Sequence, residues 1–274
     1  MIKPPDGVVR VAALSDIHYS KTSAGAMVPL FSQVAEAADV LLLGGDLTDY
    51  GSPEEAKILS KDLAQVKIPV VAVLGNHDFE ADQQDEIIRI LTDVGVHVLD
   101  GDTWEFRGVG FAGVRGFCGG FGRGALGPWG EKTIKAFVHE AVQEALKLEA
   151  ALARLETEHR IVLMHYAPIR ETLEGEPLEI FPFLGSSRLE DPLSRFQVTA
   201  VFHGHAHKGV PEGKTQSGIP VYNVAHSVLK HHYPDRPPFR VFEVHAGDSA
   251  ESGVTPIVDR RHHGRRASDR SSAD

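Results

Sequence analysis

Only one cysteine, Cys118, occurs in these 274 residues. That excludes an intramolecular disulfide and makes a reducing compartment the natural expectation. No apolar run approaches the roughly 20 residues of a membrane-spanning helix, and the opening residues, Met1 to Asp6, lack the apolar segment of a secretory signal. A cytoplasmic protein that stays out of the membrane is therefore expected. Positive charge is scarce as well, for the formal net charge is -10. Basic residues concentrate at the end, where Arg260, Arg261, Arg265, Arg266 and Arg270 meet only Asp269 and Asp274. An acidic body argues against nonspecific nucleic-acid binding and suits bound cations, although ordinary solubility accounts for it equally well.

What the chain does have is one local pattern used several times. The stretch Val40-Leu-Leu-Leu-Gly-Gly-Asp46-Leu-Thr-Asp49 is a bulky apolar run that ends in two glycines and a carboxylate. A buried strand that delivers a charge to the edge of a sheet has this look. Three other runs end alike: Val11 to Leu14 before Asp16 and His18, Val70 to Leu74 before Asn76, His77 and Asp78, and Ile161 to Met164 before His165. A fifth, Val198 to Phe202, leads into His203, His205 and His207. In open α/β sheets ligands gather beyond the carboxyl ends of the strands, so five such ends can converge on one place. Asp, Asn and His are the usual ligands for a pair of divalent metals. If extended geometry persists past the strand, residues two apart project together, as Asp16 with His18 and His205 with His207. The carboxylate of Asp46 has two oxygens and can bridge. Two ions about 3.5 to 4 Å apart can hold both the attacking and the leaving oxygen of a phosphoryl displacement, and can acidify a water between them.

Along the chain, strands are expected over 8–15 and 40–43 and from Pro69 onward. Helices are expected up to Ala38, from Ser52 to about Val66, and over 82–94. Ser52-Pro53-Glu54-Glu55 combines a capping box with a proline at the first helical position. Strand and helix in alternation signal a parallel βαβ sheet. From Val96 to Val114 the pattern becomes short β runs, 96–99 and 104–114. Residues 108–130 then hold ten glycines, which argues against a regular packed element over most of that span. Two matches to G-x-G-x-x-G lie there, at 108–113 and 122–127. Neither opens a helix directly after a strand, so dinucleotide binding is disfavoured. Glu131 to Glu158 is the clearest helix, with a core-facing Leu/Ala stripe. Residues 168–197 read as loop-rich, with Pro168, Pro177, Pro182 and Pro192. Strands at 219–224 and 239–245 suggest a second, more antiparallel sheet that completes a sandwich. The expected organisation is one catalytic domain over 1–248 and a disordered Arg/Ser-rich tail over 249–274.

Taken together, Asp16-x-His18, Gly45-Asp46-x-x-Asp49, Gly75-Asn76-His77-Asp78, an isolated His165 and Gly204-His205-x-His207 resemble the motif set of the calcineurin-like metallophosphoesterase superfamily. All five blocks are present in order across most of the first 210 residues. Each is weak alone; jointly they are highly specific. The resemblance implies an α/β fold, a two-sheet β-sandwich flanked by helices, with two metal ions, Mn, Fe or Zn, as cofactors. One ion would be held by Asp16, His18 and His207, the other by Asn76, His165 and His205, with Asp46 bridging. His77 would be the general acid that protonates the leaving oxygen, or a phosphate-orienting donor. Asp78 would set its tautomer from behind, and Asp49 would sit outside the ligands. The partner implied is a small-molecule phosphoester.

One departure narrows the resemblance. Protein Ser/Thr phosphatases and their dinucleoside-tetraphosphatase relatives carry an Arg directly after the second Asp of the Gly-Asp block, where it clamps a phosphate; here that place is Tyr50. Without that guanidinium a dianionic monoester loses a bidentate partner. The block is more similar to class III cyclic-nucleotide phosphodiesterases, so a phosphodiester, a cyclic nucleotide or a similar small molecule, is the expected substrate. A phosphomonoesterase or protein phosphatase on the same site is one alternative; a non-catalytic metal-binding module is another. Arg115 or Arg123, in a glycine-rich 115–127 loop expected to cover the metals, could meet a phosphate. His203 is expected to be packed or hydrogen-bonded, and His226, His231 and His232 to be solvated loop residues. Cys118 is expected in a flexible loop.

Overall fold

The computed structural model describes residues 7–246, so the expected tail at 249–274 and its boundary lie outside the described residues. Apolar runs bounded by glycine or polar residues become strands. In the first sheet β1 (Val8–Leu14), β2 (Val40–Gly44), β3 (Val70–Val73) and β4 (Val96–Val98) run parallel, joined by helices α1 (Val28–Ala37), α2 (Pro53–Leu63) and α3 (Gln84–Thr92). The expected capping box is present at α2, where Ser52 accepts from the Glu55 amide and the Glu55 carboxylate reaches back. Residues 96–114 are β as expected, but the single run expected over 104–114 is two strands: β4 closes the first sheet, and β5 (Asp102–Phe106) and β6 (Val109–Val114) form a hairpin that opens the second.

The second sheet adds β7 (His159–Met164), β8 (Ala200–His203), β9 (Glu212–Lys214) and β10 (Pro220–Asn223), in the order β5-β6-β7-β8-β10-β9. It corrects the expectation of a more antiparallel sheet, because β6, β7, β8 and β10 pair in parallel and only the edges, β5 and β9, are antiparallel. The run at 239–245 goes elsewhere: β11 (Arg240–His245) pairs antiparallel with β1 at the edge of the first sheet. Edge pairing of this kind is decided by which unsatisfied backbone lies beside the strand, which periodicity does not encode.

Alternation sorts the side chains. Val9, Val11 and Ala13 of β1, with Leu42 and Val71, face Phe111, Ile161, Leu163 and Phe202 across the gap between the sheets. Their neighbours Ala12, Leu14, Leu41 and Leu43 face Phe31, Leu59, Ile87 and Leu91 of the helices outside. Both faces of each strand are thus apolar, as buried parallel strands require. Helix α4 (Lys132–Arg154) covers the outer face of the second sheet with Leu148, Ala151 and Leu152. The 168–197 stretch is loop-rich as expected and contains two four-residue helices, α5 (Phe181–Leu184) and α6 (Glu190–Leu193). The histidines His226, His231 and His232 belong to α7 (His226–His232), a helix and not a loop. No helix among the described residues is long and apolar enough to cross a membrane.

Candidate metal centre

Because β1, β2, β3, β7 and β8 are all parallel within their sheets, their carboxyl ends open on one edge of the sandwich, and Asp16, Asp46, Asn76, His165 and His205 follow those ends directly. The sheets meet there. At Gly45, with φ +90°, an added Cβ would stand 2.6 Å from His165 Nδ1 and 2.8 Å from the Gly75 nitrogen. Only glycine lets the first sheet's loops approach His165 of the second so closely.

Extended geometry does not carry Asp16 and His18 to the site together, as the period of a strand had suggested. Asp16 (φ 59°), His18 (φ 43°), Asp46 (φ 48°) and His205 (φ 68°) all have left-handed backbone, and they are four of the six non-glycine residues with positive φ among those described. Tight turns past the strand ends, not the strands, aim these side chains. Strain of this kind gathers at ligand sites, where the surroundings hold it in place.

The side chains form two groups that share Asp46, and His18 with Asp49 and His77 forms a third beside them. Ligand atoms of Asp16, His18, Asp46 and His207 all lie within 4.8 Å of one another, and so do those of Asp46, His165 and His205. His207 Nε2 stands 2.9 Å from Asp16 Oδ1, and His165 Nε2 stands 3.0 Å from Asn76 Oδ1 and 3.3 Å from Asp46 Oδ1. Two ligands at right angles around an ion, each about 2.1 Å away, are about 3 Å apart. Both ring nitrogens of His18 are buried without a hydrogen-bond partner; the carboxylates of Asp49 and Asp46 stand 3.4 and 3.9 Å off. A buried imidazole left so is costly unless something coordinates it. The donor set therefore fits two divalent ions.

Neighbouring groups orient these donors. His165 Nδ1–H donates to the Gly44 carbonyl at 2.9 Å, which turns Nε2 toward Asp46 and Asn76. His205 Nε2–H donates to the Phe183 carbonyl at 3.2 Å and leaves Nδ1 for the shared side. Charge is arranged to match. Burial alone would raise Asp46, but the charge and hydrogen bond of His165 hold it well below the usual carboxylate range. Burial likewise opposes a proton on His165, yet Asp46 pushes it up to about 9, whereas burial and the charge of His165 push His205 down to about 4. Without a metal the site thus keeps a proton on His165 in the place of a cation, so metal uptake must expel it.

Several assignments change at this level of detail. Asp78 does not orient His77. Its buried carboxylate accepts from the amides of Leu47, Thr48 and Gly75 and from the Thr48 hydroxyl, which ties the loops after β2 and β3 together. The tautomer of His77 is set instead by the Asp49 carbonyl, 2.7 Å from Nδ1. The Asp49 side chain groups with His18 and His77, apart from the two groups that share Asp46. Arg115 is committed elsewhere: its guanidinium pairs with Glu140 at 2.6 Å and stacks on Phe79 and Phe117. Arg123 is exposed on a short turn. The 115–127 segment bonds to Pro182, Gly185 and Ser187, touches the donors only where the Arg115 carbonyl accepts from the His165 backbone amide, and holds Cys118 buried in the core under α4, where burial pushes its thiol up to about 11. His203 is packed as expected, donating from Nδ1 to the Gly204 carbonyl at 2.8 Å and accepting from Thr172 at 2.9 Å.

Two neighbours of the site had no signal in the sequence. Phe183 contributes a carbonyl, which every residue has. Tyr166, whose ring centroid is 4.5 Å from that of His205, reads as ordinary core.

Comparison with known proteins agrees with this geometry. Residues 9–209 match the calcineurin-like phosphoesterase family. A probable glycerophosphodiester phosphodiesterase, GpdQ of Arcobacter nitrofigilis, is 21% identical over 183 residues, which are 62% of this chain and 57% of that protein. The chain thus spans little more than half the length of this curated relative. Among solved structures, phosphopantetheinyl hydrolase (PptH) from Mycobacterium tuberculosis is similar with TM-score 0.62 and 16% identity, over 89% of this chain and 98% of that one. TT1561 of Thermus thermophilus is similar with TM-score 0.53 and 16% identity, over 81% and 91%. At such identities the likeness shows the fold alone. The family match covers well over half the residues and includes every donor just described, and the chain belongs to the calcineurin-like phosphoesterases, metal-dependent hydrolases with a dinuclear centre.

Proposed function

We propose that this protein hydrolyses the phosphodiester of a small molecule at two ions, one held by Asp16, His18 and His207 and the other by Asn76, His165 and His205, with Asp46 between them. The observation that carries this reading is the membership of Asp46 in two donor groups, one with Asp16, His18 and His207 and one with His165 and His205. The ions, when bound, neutralise charge on the phosphoryl oxygens and acidify a water; Mn, Fe and Zn all suit this mixture of ligands. The protein's own part is positional. His77 gives its Nδ1–H to the Asp49 carbonyl, and its backbone amide is fixed by Asp46 at 2.9 Å. That leaves Nε2 to hold a proton for the departing oxygen. Its ring stands 4.6 Å from that of His18, edge to face, which keeps it beside the ions.

A diester is favoured over a monoester because Tyr50, largely exposed, occupies the place of a phosphate-clamping arginine, and Arg115 is spent on Glu140. A monoester dianion would meet the ions without a bidentate partner. The name of the GpdQ relative supports the same direction. Turnover of bis-p-nitrophenyl phosphate is expected to require added metal, to exceed that of p-nitrophenyl phosphate, and to fall by orders of magnitude in Asp46→Ala. Full activity of that variant overturns the site; a strong monoester preference overturns the choice of substrate.

A further inference from the structure

Arg115, which the proposed chemistry leaves without a part, touches loops of both sheets beside the metal centre. It follows β6 directly. Its carbonyl accepts from the amides of His165 and Tyr166, at 3.0 and 3.2 Å, so its backbone fixes the turn after β7 that presents His165. Its side chain meets a loop of the first sheet. The guanidinium lies 4.4 Å from the centre of the Phe79 ring, and Phe79 ends the short turn His77–Phe79 that follows β3. That turn is closed on itself: the Phe79 amide donates to the Asn76 carbonyl at 3.1 Å, and the Glu80 amide to the His77 carbonyl at 3.2 Å. A shift of Phe79 therefore carries Asn76 and His77 with it.

Several contacts hold the guanidinium on that ring. Glu140 of α4 accepts from it at 2.6 Å, the buried carboxylate of Glu144 stands 3.9 Å away, and the centre of the Phe117 ring lies 5.4 Å off. Glu144 is itself fixed, because it also accepts from the Gly116 amide at 2.8 Å. A planar cation stacked on an aromatic face and paired with carboxylates has little freedom. Its Nε is buried with no hydrogen-bond partner, and a buried donor left unmet is costly. The exposed pair of Arg195 with Glu149, by contrast, fastens α4 without such a cost.

We propose that Arg115 is a positioning residue for the leaving-group step: stacked on Phe79 and tied to His165, it sets His77 where Nε2 can hand a proton to the departing oxygen. The proposal rests on the phosphoesterase reading with His77 as the proton donor, and adds the residue that aims it. In that step the P–O bond breaks, its electron pair goes to the leaving oxygen, and that oxygen takes the proton from His77. A p-nitrophenolate leaves readily without a proton, whereas the more basic unsubstituted phenolate does not. Misplacing a reacting group by about 1 Å costs about 100-fold. Loss of the stack must therefore fall on poor leaving groups, while the backbone carbonyl that holds His165 stays whatever the side chain.

Kinetics on the metal-loaded full chain test this with methyl p-nitrophenyl phosphate and methyl phenyl phosphate. Arg115→Met keeps an unbranched stem without the plane or the charge. It is expected to lower kcat about 10- to 100-fold for the phenyl ester and less than about threefold for the p-nitrophenyl ester, with KM and metal content retained. Phe79→Leu should reproduce this split, and should cost nothing further when combined with Arg115→Met, because both variants break one contact. In a His77→Ala background Arg115→Met should show no selective effect at all. Should Arg115→Met fail to fold, the two rates of Phe79→Leu decide alone. An equal loss on both esters, a loss of metal, or no loss on either ester overturns the role. Absence of turnover of both esters by the unaltered protein with metal bound overturns the phosphoesterase reading, and this role with it.

Discussion

Gly204→Ala tests the geometry of the proposed metal centre without removing a single candidate ligand. A Cβ at Gly204 would stand 2.0 Å from Ser15 Oγ, 2.7 Å from Ser15 Cβ and 2.2 Å from Asp16 Oδ2, where ordinary contact begins at 3.4 Å. The serine hydroxyl can rotate away, but its Cβ cannot, and the Asp16 carboxylate must retreat by about 1 Å. Metal ligands tolerate displacements of about 0.2 Å. Overpacking by one methyl costs about 1 to 3 kcal/mol, which a fold worth about 5 to 15 kcal/mol survives. The metal-free variant should therefore melt only several degrees lower, at roughly 2 to 4 °C per kcal/mol. The metal effect should be larger, because the group of Asp16, His18 and His207 loses a properly placed carboxylate; at least 10- to 100-fold in affinity is expected, about the loss typical of disturbing a mere supporting contact. Metal analysis after desalting, and thermal unfolding with and without chelator, read the two effects separately. Gly124→Ala, where an added Cβ meets nothing within 4 Å, is the control. If Gly204→Ala keeps two ions per chain and the full metal-dependent rise in Tm, Asp16 is not a ligand and the reasoning fails.

Two further outcomes follow from groups beside the centre. Burial pushes His203 down to about 4, against about 6.5 in an unfolded chain. The unfolded state therefore takes up its proton first on acidification, so stability is full above about pH 6.5 and about 3 kcal/mol is lost by the time pH has fallen through about 4. Chelator-treated protein should lose Tm over that window, and His203→Gln should lose less; an identical slope in the variant would falsify this account. For Asp78, burial and the Asp46 charge push the carboxyl up to about 6, so at about pH 7.5 its ionisation costs about 3 kcal/mol. Asp78→Asn removes that cost but turns an NH2 donor toward backbone donors, at about 1 to 3 kcal/mol for each left unpaired. The two terms nearly cancel, and the variant should fold within about 2 kcal/mol of the parent. Since the Asp49 carbonyl orients His77, the pH profile of kcat should keep its shape. A displaced limb in that profile would restore Asp78 to the role first expected of it.

The sequence by itself pointed to the candidate donors and to the edge on which the structure gathers them. An apolar run that stops at Gly-Asp or directly before His is a local statement, and parallel strands separated by helices put their carboxyl ends on one side whatever the details of packing. The start of α2 was legible for the same reason, since Ser52, Pro53 and Glu55 satisfy one another within four residues. Tertiary structure decided the rest. Which strand β11 completes, that β7, β8 and β10 run parallel, and that Asp78 accepts from Leu47, Thr48 and Gly75 all depend on backbone brought near from elsewhere. The left-handed turns at Asp16, His18, Asp46 and His205 defeated the extended-strand expectation. Such conformations exist only because the surrounding loops over-determine them, and no local pattern announces them. The support behind His205 was hidden most completely, because Phe183 acts through its carbonyl, and that property does not belong to a residue until the chain is folded around it.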